Sequence, residues 1–421
     1  MVERGSGVHW IIWSLFFDVF EILIKVFPMN FRIDWPQRGH GFTEEEIEAV
    51  AMVMRAPGCS LTQGPKVQHF EHLFAQYLGV GQAFATMSCA HALDIAAMLA
   101  QILPGDEVVV PSHTYCASAL AFARRGAVLR WVDIDPDSLT LSPESLRRTI
   151  TTKTKAIVLV HLYGLLSPHV HEIVDLAKQR GIILIEDCAQ SLGAKLNGSH
   201  CGTFGDIGCY SFHAQKNLTT LGEGGMLAVK SSELAQKVTG LRLNGHAPFL
   251  NKTDYWLPAM TNLDVDIEGI WPMKSTMTEA QAAVGALVLG RLDHLTVQRR
   301  KRGMAFRVAM QDFPELRFQA IHDLEAHSHH LLPARYDGAG CTRDDLIRLL
   351  ADKYGIKAIV QYHPLHRYDL FRKMGHGNAD VPQTDRFFDN MISFPFSLEI
   401  SDADFEYEIG AVREALASLR H

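Results

Sequence analysis

From residue 83 to about residue 230 the chain repeats one pattern, a short aliphatic run followed by a stretch with helical spacing. The runs are EVVVP (107–111), AVLRWVDI (127–134), AIVLVHL (156–162) and GIILIED (181–187). A strand with one wet face alternates apolar and polar residues. Nearly unbroken apolar runs separated by helices such as SPHVHEIVDLAKQR instead predict parallel strands covered on both faces. The expected fold is therefore α/β, a mostly parallel sheet sandwiched by helices. Ligands of such sheets bind at the carboxyl ends of the strands. Tyr115, Tyr163 and Asp187 each fall at or just past such an end.

A chain of 421 residues exceeds one ordinary core. Residues 29–275 are read as the large α/β domain. Residues 276–421 are read as a bridging helix or helix pair (278–312) followed by a smaller α+β domain that contains the helix RDDLIRLLADKYG. Thr43 and Glu46 form a capping-box signature before the helix EEEIEAVAMVMR, and Gly79 closes the helix after GPKVQHFEHLFAQYL. Residues 1–28 form an N-terminal extension. Its apolar stretch 8–27 carries Ser14, Asp18, Glu21 and Lys25 at helical spacing. Each charge would cost about 2.5–3.5 kcal/mol at a bilayer centre, so an amphipathic helix fits better than a span. Such a helix packs on the protein, lies on a membrane surface, or precedes a natural start at Met29.

Composition narrows the partners. A net charge of −7 argues against nucleic acid, which needs clustered Lys and Arg. The seven cysteines are odd in number and lack CxxC pairing, which points to reduced thiols and a cytoplasmic setting.

Chemistry concentrates in three stretches. In IEDCAQSLGA (185–194), Asp187 ends a buried strand, where a carboxylate needs a cation. A pyridinium nitrogen supplies one. In GCYSFHAQKNLTTLGEGGMLAV (208–229), Lys216 sits in a polar loop 29 residues after Asp187, with Gly222, Gly224 and Gly225 behind it. Burial lowers the pKa of a lysine and prepares it for a Schiff base. The flanking glycines suit a backbone close to a ligand, and Glu223 among them is more than a solubilising charge. In SCAHALDIAAMLA (88–100), Ser88 caps a helix whose free N–H groups suit a phosphate, with Ser211 offering a hydroxyl. Taken singly, each also fits a plain structural role: Asp187 a turn cap, Lys216 a loop lysine, Ser88 an ordinary helix cap.

Together these residues resemble the DegT/StrS family of sugar aminotransferases, which have the type I fold of pyridoxal-phosphate (PLP) enzymes. The likeness runs from about residue 40 to the C-terminus. Its specific stretches are QGPKVQHFE, LPGDEVVVPSHTYCASA, IEDCAQSLGA, CGTFGDIGCYSFHAQKN, GEGG, YHPLH and MISFPF. The resemblance implies that Lys216 forms the Schiff base and shuttles a proton. Asp187 would pair with the ring nitrogen, Tyr115 stack on the ring, and Gln190 bond the phenolic oxygen. Ser211 with the amides of Cys89 and Ala90 would hold the phosphate, and Asn244 would reach the phosphate of a partner subunit in a homodimer with shared active sites. The implied substrates are an amino donor, usually glutamate, and a nucleotide-activated keto sugar.

The chain departs from the family at two places. Ser88-Cys89-Ala90 stands where the family commonly has Ser-Gly-Thr, so one hydroxyl is missing. PMKSTMTEAQAA stands at the usual Gly-x-Asn-x-Arg, with Lys274 and Thr276 at the Asn and Arg positions. Relatives that are dehydratases carry His in place of the lysine, and Lys216 favours transamination over dehydration, epimerisation or a non-catalytic regulator. His327, His329 and His330, and the HxxH of His363 and His366, lack an accompanying carboxylate or Cys at ligand spacing. They are read as a pocket rim or exposed loop, with no metal site.

Overall fold

The computed structural model describes residues 30–58, 60–247 and 262–420. The helix expected over 8–27 lies outside them. The main sheet has seven strands: β1 (Gln82–Thr86), β2 (Glu107–Pro111), β3 (Val128–Val132), β4 (Thr154–Val160), β5 (Ile183–Asp187), β6 (Ile207–Ser211) and β7 (Gly225–Val229). Their order is β3-β2-β4-β5-β6-β7-β1. Neighbours from β3 to β6 are parallel, and β7 runs against both β6 and β1.

The apolar runs of β2, β4 and β5 are covered on both faces as expected, whereas AVLRWVDI forms the edge strand β3 and leaves Val128 and Arg130 exposed. Val108 and Val110 of β2 face one core and Val109 the other. Ala156, Val158 and Val160 of β4 face the first core, while Ile157 and Leu159 face the second. The helices used below are α1 (Glu44–Arg55), α2 (Pro65–Leu78), α3 (Cys89–Leu99), α4 (Ala117–Ala123), α5 (Val170–Arg180), α6 (Ser232–Arg242), α7 (Glu279–Gly290), α8 (Leu292–Ala309), α9 (Arg343–Tyr354) and α10 (Asp402–Ser418). Buried residues of α3, α4 and α6 build the first core, and those of α2, α5 and α7 the second. The caps behave as their side chains dictate. Thr43 and Glu46 close a capping box on α1, and α2 ends at Gly79 with φ 72°.

The stretch 278–312 is a helix pair. Its break falls at Arg291, after Gly290, a poor helix former. The Arg291 guanidinium is drawn aside to Glu46, Nε to Oε1 at 2.6 Å. Beyond α8, an antiparallel sheet of β8 (Leu316–Phe318), β9 (Leu332–Tyr336) and β10 (Met391–Phe394) packs with α9 and α10 around a third core, which Ile33 joins from the start of the chain.

One buried cation ties these parts together. Arg299 of α8 is 1% exposed, and its hydrogen-bond partners are all backbone carbonyls. Nε donates to His329 O at 2.9 Å, Nη2 to His330 O at 2.7 Å and Nη1 to Gly39 O at 3.1 Å. Burial brings its pKa down to about 9. Gly39 in turn backs onto the carbonyl of Lys216, where any side chain would collide, and its N–H donates to Ala214 O at 3.0 Å. Among the described residues no helix is long and apolar enough to cross a membrane, and the six described cysteines are free thiols.

Candidate active site

The register of the sheet assembles the first part of the site. Thr86 of β1, Gly225 of β7 and Ser211 of β6 lie abreast at one end of the sheet. Gly225 is glycine for a steric reason, because a Cβ there would lie 2.6 Å from Cys89 N. That close approach brings the first turn of α3 against β7 and beside Ser211. Ser88 caps the helix by accepting from His91 N at 3.3 Å. Among the described residues the Cys89 and Ala90 amides have no acceptor, which leaves two N–H groups at a helix start, an arrangement suited to an anion.

Asp187 closes β5, between β4 and β6. It is 5% exposed and held by three groups. Ser118 Oγ donates to Oδ2 at 2.7 Å and Ala189 N donates to Oδ1 at 3.0 Å, while the Cys89 thiol lies 4.0 Å from Oδ1. Ser118 sits in α4, which begins just after Tyr115, so one short helix positions both the carboxylate's partner and an aromatic ring. Tyr115 is 57% exposed, unusual for a large ring, with its edge against Tyr362 at 5.9 Å.

Lys216 lies in the loop from β6 to β7. The loop is held by Lys216 N to His213 O (2.9 Å), Thr220 N to Phe212 O (3.0 Å) and Asn217 Nδ2 to Leu192 O (3.3 Å). Loss of water around the half-buried ammonium lowers its pKa, while the nearby Cys89 and Asp187 act to raise it. Lysine and carboxylate are thus close enough for their charges to interact, as the spacing of 29 residues suggested. Lys216 lines a narrow cavity with Trp35, Arg38, Gln215, His330 and Tyr362. Glu223 contributes through its backbone, since its carbonyl accepts from Thr220 Oγ1 at 2.8 Å and Gln281 Nε2 at 2.7 Å while its side chain is exposed.

Gln190 is pinned at both ends of its amide. Oε1 accepts from Tyr163 N at 2.7 Å and Nε2 donates to Tyr362 Oη at 2.8 Å. Asn244 stands apart from this cluster. It is exposed in a left-handed turn (φ 58°), its N–H donates to Met273 O at 3.0 Å, and no contact joins its side chain to Lys216 or Asp187 among the described residues. Lys274 is exposed and bridges to Leu243, while its neighbour Ser275 accepts from Met87 N at 3.3 Å beside the start of α3.

His327, His329, His330 and His366 are buried packing and bonding groups rather than an exposed loop, and His363 is half-buried. His327 bonds Gln319 at 3.0 Å, His330 bonds Asn217 at 3.3 Å, and His366 bonds Ser112 at 2.7 Å, while His329 stacks on His327 and His363 packs on Tyr368 and Phe388. His161, Glu186 and Cys188 converge closely enough to suggest a metal site. However, the Glu186 carboxylate is already saturated, taking donors from His161 Nε2 and the amides of Gly202, Phe204 and Gly205. His161 Nδ1 accepts from Ser167 N, so this trio is a structural network.

Ser118, Tyr362 and Arg299 escaped the reading of the sequence. Ser118 and Tyr362 stand inside stretches that carry the resemblance, CASA and YHPLH, but nothing in their spacing says which way a side chain points. Arg299 lies in a run of four basic residues that reads as a solvated face.

The parts suit one cofactor. A buried carboxylate could pair with a ring nitrogen, a lysine of lowered pKa could take a carbonyl, a helix start with unspent amides could take a phosphate, and an exposed tyrosine could cover a ring. Fold and site define a PLP-dependent aminotransferase of the type I fold, acting on sugars. The chain belongs to the DegT/DnrJ/EryC1/StrS aminotransferase family, whose sequence model matches residues 41–413. It is 34% identical over 378 residues to the spore coat polysaccharide biosynthesis protein SpsC of Bacillus subtilis, covering 88% of this chain and 94% of that one. Among solved structures it resembles the aminotransferase TlmJ of Streptoalloteichus hindustanus (TM-score 0.82, 29% identity, 92% of this chain and 100% of that one). It also resembles S. venezuelae DesV, solved in complex with a ketimine intermediate (TM-score 0.77, 29% identity, 88% and 94% covered).

Proposed function

We propose that this enzyme moves an amino group from glutamate to the keto group of a nucleotide-activated sugar. The observation that carries this reading is that Lys216 and Asp187 lie close enough for their charges to interact, with burial holding the lysine pKa down. PLP, when bound, supplies an electron sink that makes the substrate Cα–H acidic. Lys216 Nζ, made easier to deprotonate by its burial, would take that proton and return it on the cofactor side, acting first as base and then as acid. Asp187, oriented by Ser118 and Ala189, keeps the ring nitrogen protonated. Tyr115 covers the ring, Gln190 donates to its phenolic oxygen, and the Cys89 and Ala90 amides with Ser211 Oγ hold the phosphate. Backbone donors at the start of α3 compensate for the hydroxyl that Ala90 lacks.

The family likeness supports a homodimer with shared sites in which Asn244, exposed and outside its own cluster, reaches the phosphate of a second copy. The setting is cytoplasmic. The likeness to SpsC, named for spore coat polysaccharide biosynthesis, supports amino-sugar formation for a surface polysaccharide, with a secondary metabolite as the other destination.

The test is to add glutamate to the PLP-loaded protein and record its absorbance. A band at about 420 nm should move to about 330 nm, because the cofactor is the chromophore. The same change in Lys216→Ala protein would refute the role of Lys216, and no change in the wild type would refute glutamate as donor. Nucleotide-linked keto sugars offered to the converted enzyme then identify the acceptor by restoring the first band.

A further inference from the structure

A chain of hydrogen bonds in the cleft ends at Gln190, and its members other than Gln190 have no role in the steps above. The orientation of the Gln190 amide is set by its partners. Oε1 accepts from the Tyr163 amide at 2.7 Å, so the other end is the donor, and Nε2 donates to Tyr362 Oη at 2.8 Å. A primary amide nitrogen carries two hydrogens, and this contact uses one.

Tyr362 is itself firmly placed. Its ring stacks on that of Tyr163 with 11° between planes and 6.4 Å between centroids, and the Tyr115 edge meets it at 5.9 Å. The Tyr163 hydroxyl donates to the carbonyl of Gln361, the residue before Tyr362, at 2.8 Å. The same oxygen meets His113 Nε2 at 2.7 Å, so the imidazole is the donor there, and burial keeps His113 neutral by lowering its pKa to about 3. Burial also raises the pKa of Tyr362, so its oxygen is a neutral acceptor. Tyr362 and Lys216 line the same cavity. Without the Tyr362 oxygen the Gln190 amide would be held at its oxygen end only, and terminal amide torsions have broad minima.

We infer that Tyr362 is a positioning residue whose phenol oxygen holds the Gln190 amide so that its second N–H meets the phenolic oxygen of PLP. The inference rests on the role proposed above for Gln190. A donor at that oxygen favours its anionic form most when the neighbouring Schiff-base nitrogen carries no proton. It therefore lowers the pH at which that nitrogen deprotonates.

The experiment is a pH titration of the absorbance band of the PLP-loaded enzyme, in wild type, Gln190→Ala, Tyr362→Phe and the double variant. Tyr362→Phe should bind PLP and shift the midpoint upward by about half a unit, and Gln190→Ala should shift it further. The double variant should match Gln190→Ala alone, because both act through one contact. An unchanged midpoint in Tyr362→Phe, with a shift in Gln190→Ala, overturns the inference and leaves the Gln190 reading standing. No shift in Gln190→Ala overturns both. If Tyr362→Phe does not retain PLP, Tyr362→His restores a ring acceptor. Its midpoint should stay with the wild type, and one that matches Gln190→Ala counts against the inference.

Discussion

The hydroxyl of Ser118 donates to Oδ2 of Asp187 across 2.7 Å, from the first turn of α4 to the end of β5. It fills one oxygen of a carboxylate whose other oxygen takes the Ala189 amide. Hydrogen bonds to charged groups contribute about 1.5–3 kcal/mol, and Asp187 orients only as well as it is held. Ser118→Ala should therefore weaken PLP binding by about tenfold. Titration of the apoprotein with PLP measures this, and equal affinity would show that the Ala189 amide suffices.

Gly225 leaves no room for a methyl group, because a Cβ would lie 2.6 Å from Cys89 N and from Ser88 O, both backbone atoms. Gly225→Ala has to push the start of α3 away from β7. Overpacking of this kind costs about 1–3 kcal/mol. Cofactor affinity should fall more than the urea midpoint does, since the displaced amides are the phosphate donors proposed above.

Burial depresses the pKa of Lys216 in the folded apoprotein. The unfolded chain then binds more protons than the folded one, so this residue's contribution to stability rises as pH increases from the folded pKa towards the ordinary lysine value. Lys216→Met apoprotein should be more stable than wild type at pH 7, with the gap narrowing towards about pH 10.4. Urea unfolding across that range is the check, and a gap that widens with pH contradicts the assignment.

Glu408 of α10 is fully buried in the third core, and both its carboxyl oxygens lack a partner among the described residues. Burial raises its pKa well above the usual carboxylate range. The folded protein thus holds a proton that the unfolded chain releases above about pH 4.3, and stability falls as pH rises through that window. Glu408→Gln should raise the melting temperature at pH 7 and make no difference near pH 4. Equal melting temperatures at both values would place a hidden partner beside the carboxylate.

The alternation of apolar runs and helices was enough to specify the doubly covered, mostly parallel sheet, because a strand buried on both faces has no other pattern to show. It was also enough to put Tyr115, Tyr163 and Asp187 at or just past the ends of strands, with Lys216 in a loop 29 residues on. Ligand chemistry needs residue types that are conspicuous in such places, namely a charge at the end of an apolar run and glycines behind a lysine. What the sequence could not decide was direction and distance. Ser118 and Tyr362 lie in family-like stretches and Arg299 in a basic run, but none shows where its side chain points, and their roles follow from contacts spanning 69, 172 and 260 residues. The approach of α3 to Gly225 likewise depends on pairing β7 between β6 and β1, which no local pattern encodes. Local composition determined which groups the site has to work with. Only the folded chain, by bringing distant backbone and side chains within hydrogen-bond reach, decided which of them hold the others in place.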